Sequence, residues 1–294
     1  MAEPEIDEVT GVQTTGHEWD GIKELDNPMP RWWLWSFYAS IIFSIGYMIY
    51  YPAIPLLEGS TMGISGKTNR SELKLEMAAA TAAKAERIAL IEKSTLGDIQ
   101  KNENLSRFAV AGGASLYKVY CSQCHGSGAQ GAPGYPNLND DDWLWGGDVD
   151  AIYTTIKHGV RSTDDDDTRS SEMPSFGVDE TLNDSDITAV AEYIMKLSKQ
   201  DHDQELAATG NPIFAEQCAA CHGENATGGR ELGAPNLVDA ISLYGHSRAT
   251  MVAQMIKPKH GVMPAWNTKL GDSNVKQLAI YIHSLGGGEK AKSE

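Results

Sequence analysis

All four cysteines of this 294-residue chain fall in two copies of one short motif, Cys121-x-x-Cys124-His125 and Cys218-x-x-Cys221-His222. With no cysteine outside the motifs, a disulfide framework has nothing to build with. A Cys-x-x-Cys pair followed directly by histidine reads as c-type haem attachment. The two thiols add to the haem vinyls as thioethers, and the imidazole becomes the proximal iron ligand. A thioredoxin-like redox pair would want a strand-to-helix context, and a zinc site would need two paired motifs converging on one ion. The sequence therefore implies two covalently attached haem c groups.

The motifs sit in an internal repeat. Gly113 and Gly210 each lie eight residues before the first cysteine, and Tyr117 and Phe214 lie four before it. Pro136-Asn137-Leu138 answers Pro235-Asn236-Leu237, His158-Gly159-Val160 answers His260-Gly261-Val262, and Met173-Pro174 answers Met263-Pro264. Leu182 and Leu270 each precede a tyrosine, Tyr193 and Tyr281, by eleven residues. The copies differ in loops, the largest difference being a 12-residue insertion at 161–172 in the first. Each unit is expected to open with a helix into the cysteines and to close with one at 185–197 or 273–285, with Ser185 and Ser273 as candidate N-caps. Gly113 and Gly210, lacking a Cβ, let opening and closing helices approach closely. Little strand is expected. Contiguous units at 109–200 and 201–288, with a tail at 289–294, follow from this division.

For the sixth iron position the candidates are Met173 and Met263, 48 and 41 residues after the histidine of their own repeat. A thioether opposite imidazole favours reduced iron and raises the potential. The rivals are His158 and His260, which also recur, while Met195, Met251 and Met255 read as core fillers. Pro136 and Pro235 read as carbonyl acceptors for the second ring N–H of His125 and His222, or else as plain turn prolines. His17, His202, His246 and His283 have no repeat partner and read as surface or structural residues. Trp143 and Trp145 could wall the first haem or face a partner.

Between Arg31 and Glu58 there are 26 residues without a charge, tryptophans at one end and tyrosines at the other. That pattern marks a transmembrane anchor at 32–57, in contact with membrane lipid, stopped by Pro52 and Pro55. It is too long for a signal-peptide core, and no small-residue cleavage site follows. Basic residues flank both sides, so charge does not orient it. Residues 1–31 form a polar N-terminal segment. Residues 58–108 form a connector whose second half, from Ser71 to Ile99, reads as one helix capped by Ser71, a spacer or a packing surface for partner subunits. A mean hydropathy of -0.34 excludes a polytopic membrane protein, and a net charge of -16 argues against nucleic-acid binding. The fold class expected is mainly α: one N-terminal transmembrane helix and two tandem haem-binding domains.

The segment Asp20-Gly21-Ile22-Lys23-Glu24-Leu25-Asp26-Asn27-Pro28-Met29-Pro30-Arg31-Trp32-Trp33, followed by one anchor and two haem motifs, resembles the dihaem subunit III (CcoP or FixP) of bacterial cbb3-type cytochrome c oxidases. The resemblance covers essentially the whole chain. It implies electron delivery from donor c-type cytochromes, through monohaem subunit II, to the catalytic subunit I that reduces oxygen. It also implies that the two tandem domains are class I cytochrome c-like, with His125, Met173, His222 and Met263 as the iron ligands. Some members carry an additional N-terminal span, which is a departure here.

Six-coordinate irons suit outer-sphere electron transfer, so the chain alone is not expected to reduce oxygen. Haem is attached on the periplasmic side in bacteria that make c-type cytochromes, which puts residues 58–294 there and the N-terminus in the cytoplasm, with the anchor in the inner membrane. The first haem unit carries 15 acids against 6 bases, with acidic loops at 140–142 and 164–167 that could steer a basic donor or simply be solvated. A stand-alone tethered dihaem carrier and a dihaem peroxidase are the alternative functions.

Overall fold

The computed structural model describes residues 5–290. The chain divides into two units, residues 1–83 and 84–294.

In the first unit, strands β1 (Thr14–Trp19) and β2 (Ile22–Leu25) form an antiparallel hairpin. Its two turn residues, Asp20 and Gly21, both have positive φ, 51° and 84°, the backbone that matches the natural twist of paired strands. Within the polar segment expected here, residues 14–25 thus form an ordered ribbon. Helix α1 (Arg31–Tyr50) has 20 residues and buries none of them. At 1.5 Å per residue it is about 30 Å long, enough to cross a hydrocarbon core. It ends at Tyr50, short of the 32–57 read from the sequence, because the residue before Pro52 is driven into extended backbone. A tight hairpin of β3 (Pro55–Leu56) and β4 (Gly59–Ser60) turns the chain back. There the N–H groups of Ile64 and Ser65 donate to the carbonyls of Ile49 and Tyr50 at 3.0 and 2.9 Å, satisfying acceptors at the end of α1.

Helix α2 (Asn69–Lys93) begins two residues before Ser71, because Thr68 and Ser71 exchange side-chain-to-backbone hydrogen bonds, each 3.0 Å, in a reciprocal cap. The single helix expected to Ile99 is broken at Ser94. Thr95 then caps α3 (Leu96–Lys101) by accepting the N–H of Asp98.

The second unit continues with α4 (Glu103–Tyr120), α5 (Ser122–His125), α6 (Val149–His158), α7 (Asp184–Leu197), α8 (Gln204–Gln217), α9 (Ala219–His222), α10 (Arg248–Ile256), α11 (Asn267–Leu270) and α12 (Asp272–His283). The closing helices α7 and α12 fall where the sequence places them, but their caps shift. Asn183, not Ser185, accepts the N–H of Asp186, and Gly271, not Ser273, precedes α12.

Two apolar cores result, and they cross the repeat boundary. One gathers Leu105, Ala109 and Tyr117 of α4, Val149, Ile152 and Ile156 of α6, and Val275, Leu278, Ile280 and Ile282 of α12. The other gathers Ile187, Val190 and Ile194 of α7 with Phe214 of α8 and Met255 of α10. The opening helix of each repeat therefore packs on the closing helix of the other, so the stretches 109–200 and 201–288 each complete their core with a helix of the other. The two glycines mark the crossings. A methyl at Gly113 would lie 2.3 Å from the Gln277 carbonyl oxygen of α12, and one at Gly210 2.0 Å from the Ala189 carbonyl oxygen of α7. The last part of the connector joins the same packing: Ile91, Leu96, Ile99 and Leu105 are buried in the first core. The tail expected from residue 289 is in fact tied down at its start. Glu289 donates its N–H to the Gly147 carbonyl at 2.8 Å, accepts the Gly147 N–H at 3.0 Å and pairs with Arg230.

Candidate haem sites

Each motif opens at the end of a helix. Cys121 and Cys218 stop α4 and α8, and a single helical turn carries the second cysteine and the histidine. A glycine with positive φ, Gly126 or Gly223, then reverses the chain into the loop that leads to the proline. Tyr117, buried in the first core, donates its hydroxyl to the Gly126 carbonyl at 2.7 Å and holds that reversal.

The prolines stand as acceptors. His125 Nδ1–H donates to the Pro136 carbonyl at 2.9 Å, and His222 Nδ1–H to the Pro235 carbonyl at 3.0 Å. A carbonyl partner fixes the proton on Nδ1, which leaves Nε2 as the lone-pair nitrogen. Among the described residues neither Nε2 has a hydrogen-bond partner. Burial holds both imidazoles below the ordinary histidine range, partly offset by the carbonyl, so both are neutral donors at physiological pH. Burial, and after it the second cysteine of each pair, pushes Cys121 up to about 11 and Cys218 up to about 11. A thiol raised in this way is the opposite of the lowered one that a disulfide-exchange pair requires.

The methionines follow the crossed helices. Met263 packs against the core that holds Cys121, and Met173 against the core that holds Cys218. The core that holds the first repeat's Cys121 thus carries the second repeat's methionine, and the core that holds Cys218 carries the first repeat's. The Met263 segment is latched by an antiparallel bridge, with Val160 N–H to Met263 O and Met263 N–H to Val160 O both 2.9 Å. Arg161 reaches across both methionine segments, donating Nε to the Gly261 carbonyl and Nη1 to the Ser171 carbonyl, each at 2.7 Å. Of the rival ligands, one is half-buried and the other is not. His158 Nδ1 is engaged by Asp165 at 3.0 Å, and His260 is exposed. Met195 and Met255 are buried and Met251 is half-buried against the second core, as fillers are.

Of the unassigned histidines, His283 bridges Gln100 and the Glu289 carbonyl, and His202 meets the Gln200 carbonyl. Trp143 donates to the Gly287 carbonyl at 2.7 Å, whereas Trp145 lies against Gly233 of the other repeat. Nothing in the composition separates these two roles. The repeat does, because Trp145 aligns with Tyr244 at the same 99-residue offset as Pro136 with Pro235.

Two thiols, a neutral imidazole with a free Nε2 and a methionine on an apolar wall form a donor set that fits haem c at each site. Fold and site together define a tandem c-type cytochrome carried behind an apolar N-terminal helix. Residues 108–194 and 205–282 match the family described as cytochrome c oxidase, cbb3-type, subunit III, and residues 11–58 match the N-terminal domain of cytochrome oxidase-cbb3, FixP. The chain is 54% identical to the cbb3-type cytochrome c oxidase subunit FixP of Sinorhizobium medicae, over 97% of this chain and 98% of that protein. It is 51% identical to the CcoP subunit of Cereibacter sphaeroides over 94% and 95%, and 48% identical to that of Azospirillum brasilense over 98% and 100%. The chain belongs to the cbb3-type cytochrome c oxidase subunit III family, and its role is electron transfer within that respiratory oxidase.

Proposed function

We propose that this subunit binds two haem c groups covalently: Cys121 and Cys124 would hold one, with His125 and Met263 to its iron, and Cys218 and Cys221 would hold the other, with His222 and Met173. Haem c supplies a reversible one-electron couple. The chain's own residues orient the imidazoles through the Pro136 and Pro235 carbonyls, keep their Nε2 atoms unprotonated and exclude water with the two crossed cores. The observation that carries the reading is the seating of each methionine in the core of the other repeat's cysteines.

The methionine-to-iron charge-transfer band tests it. In a chain with Cys121 and Cys124 both replaced by alanine, one haem remains. Adding Met173→His is expected to abolish its band, and adding Met263→His to leave it. The reverse result would restore in-repeat pairing.

In this reading electrons arrive from a donor c-type cytochrome and leave through the monohaem subunit II toward the catalytic subunit I. Helix α1 anchors the chain in the bacterial inner membrane, with the haem-binding part on the periplasmic side and the N-terminus in the cytoplasm. Asp164, Asp166 and Asp167 are exposed on the insertion, while Asp165 is held by His158, so three free carboxylates are available to steer a basic donor. Replacing those three by asparagine should flatten the ionic-strength dependence of donor oxidation. An unchanged dependence would leave them as solvated loop residues.

A further inference from the structure

The loop that presents each proline is a small hairpin. In the first repeat Ala132 and Tyr135 exchange backbone hydrogen bonds at 3.1 and 2.7 Å, and in the second Gly229 and Ala234 do so at 3.0 and 2.9 Å. Two residues before each proline stands a glycine with positive φ, Gly134 at 87° and Gly233 at 61°. Each glycine is covered by an aromatic ring from the opposite repeat. A methyl at Gly233 would lie 2.3 Å from the Cε2 and Cζ2 atoms of Trp145, and one at Gly134 would touch Tyr244 Cε1 at 3.5 Å. The Gly134 N–H also donates to the Leu243 carbonyl at 2.6 Å.

The same rings reach the methionine side. The Arg169 guanidinium, four residues before Met173, stacks on Trp145 at 5.2 Å from the ring centre. The Tyr244 hydroxyl lies 3.8 Å from where a methyl at Gly261 would sit, two residues before Met263. Each aromatic therefore spans the histidine loop and the methionine segment of a single site, and in each site its repeat is the one that supplies the methionine.

We propose that Trp145 and Tyr244 are reciprocal positioning residues: Trp145 holds the Pro235–His222 hydrogen bond and the Met173 segment of the second haem site, and Tyr244 holds the Pro136–His125 hydrogen bond and the Met263 segment of the first. Hydrogen bonding to a haem's proximal histidine and the site's exposure to water both set its potential. A ring closing the loop tip controls both, so each haem's potential is set by a side chain far from its own cysteines in sequence.

The test is spectroelectrochemical titration of the full-length subunit, with each wave assigned by loss of one cysteine pair. Trp145→Leu is expected to change the redox equilibrium of the haem on Cys218 and Cys221 by about threefold or more, roughly half of the 59 mV that a tenfold one-electron change represents, and to leave the other haem unmoved. Tyr244→Leu is expected to do the converse, and Trp145→Phe and Tyr244→Phe to restore each potential. Gly233→Ala, which drives a methyl into the Trp145 ring from the other side, should move the same haem as Trp145→Leu, so either variant that loads two haems carries the test. A shift on the haem of the mutated residue's own repeat, an equal shift on both or no shift on either overturns the proposal. It rests on the two-haem reading above. An unaltered chain with one haem would overturn that reading, whereas two loaded haems with unmoved potentials overturn only this one.

Discussion

Glu192 is 3% exposed, yet it is held as a carboxylate that joins three helices. From α7 it accepts the Asp203 N–H at the start of α8, at 2.7 Å, and it pairs with the Arg248 guanidinium at the start of α10. The hydrogen bond from Arg248 pulls its carboxyl below the ordinary value of 4.5, against the opposing effect of burial. A group depressed on folding contributes stability that is complete above its unfolded value and is lost as pH falls through the folded one. Glu192→Gln is therefore expected to lower stability by about 1–3 kcal/mol at neutral pH, because Arg248 and the Asp203 N–H lose a charged acceptor. The gap to the unaltered protein should narrow on acidification toward about pH 4 and below. Urea denaturation at the two pH values checks this, and a gap independent of pH would show that the carboxylate's charge contributes nothing. Glu192 has no signature in the sequence, since a single glutamate in a closing helix looks like any solvated one. The cysteines, histidines and prolines of the sites are legible there because their spacing is dictated by covalent and ligand chemistry, and the spacing recurs.

At the scale of elements, helices opposed through glycine leave no room for a side chain. Gly113→Ala and Gly210→Ala would each put a methyl within 2.3 Å of backbone on the facing helix, an overpacking that costs about 1–3 kcal/mol. Gly112→Ala is the milder case: its methyl meets first the end of the Gln277 side chain rather than backbone, so room costs at most the Gln277 Nε2 bond to the Ser273 carbonyl, and alanine is the better helix former by about 1 kcal/mol. Thermal unfolding should show a lower midpoint for the first two variants and little change for the third. Equal effects at all three would mean that the helices can part without loss. The need for close approach is readable from two glycines eight residues before the cysteines, but its partner is not, because α7 and α12 are equivalent members of a repeat and either would complement Gly113. What decides is connection length. Only residues 198–203 separate α7 from α8, a link that favours an antiparallel helix pair, and the six-residue gap was present in the sequence as a signal. The hairpin at β1 and β2 was announced by Asp20-Gly21 in the same way, a dipeptide suited to a turn with two positive φ values.

For the whole molecule, crossed packing makes the two haem sites one folding problem. Neither repeat owns a complete core, since residues up to 200 include α4 and α6 but not α12, and residues from 201 include α8 and α10 but not α7. Tyr117 and Phe214, each 1% exposed, lose their facing helix if the chain is divided there. Exposing a fully buried aromatic side chain costs about 1.5–3 kcal/mol, and every apolar residue along the severed helix adds to it, which exceeds what a domain of ordinary stability can lose. Fragments 1–200 and 201–294 are thus expected to show no cooperative unfolding when produced singly. Produced together, they should copurify and regain a cooperative transition, because the crossing contacts are the same ones that a continuous chain makes. Affinity capture of one tagged fragment, followed by circular dichroism on heating, distinguishes the outcomes. A cooperative transition in the isolated 1–200 fragment would mean that α4 can satisfy its glycine face on α7 of its own repeat, and that the crossed arrangement is a choice between two near-equal packings rather than the requirement of a short link.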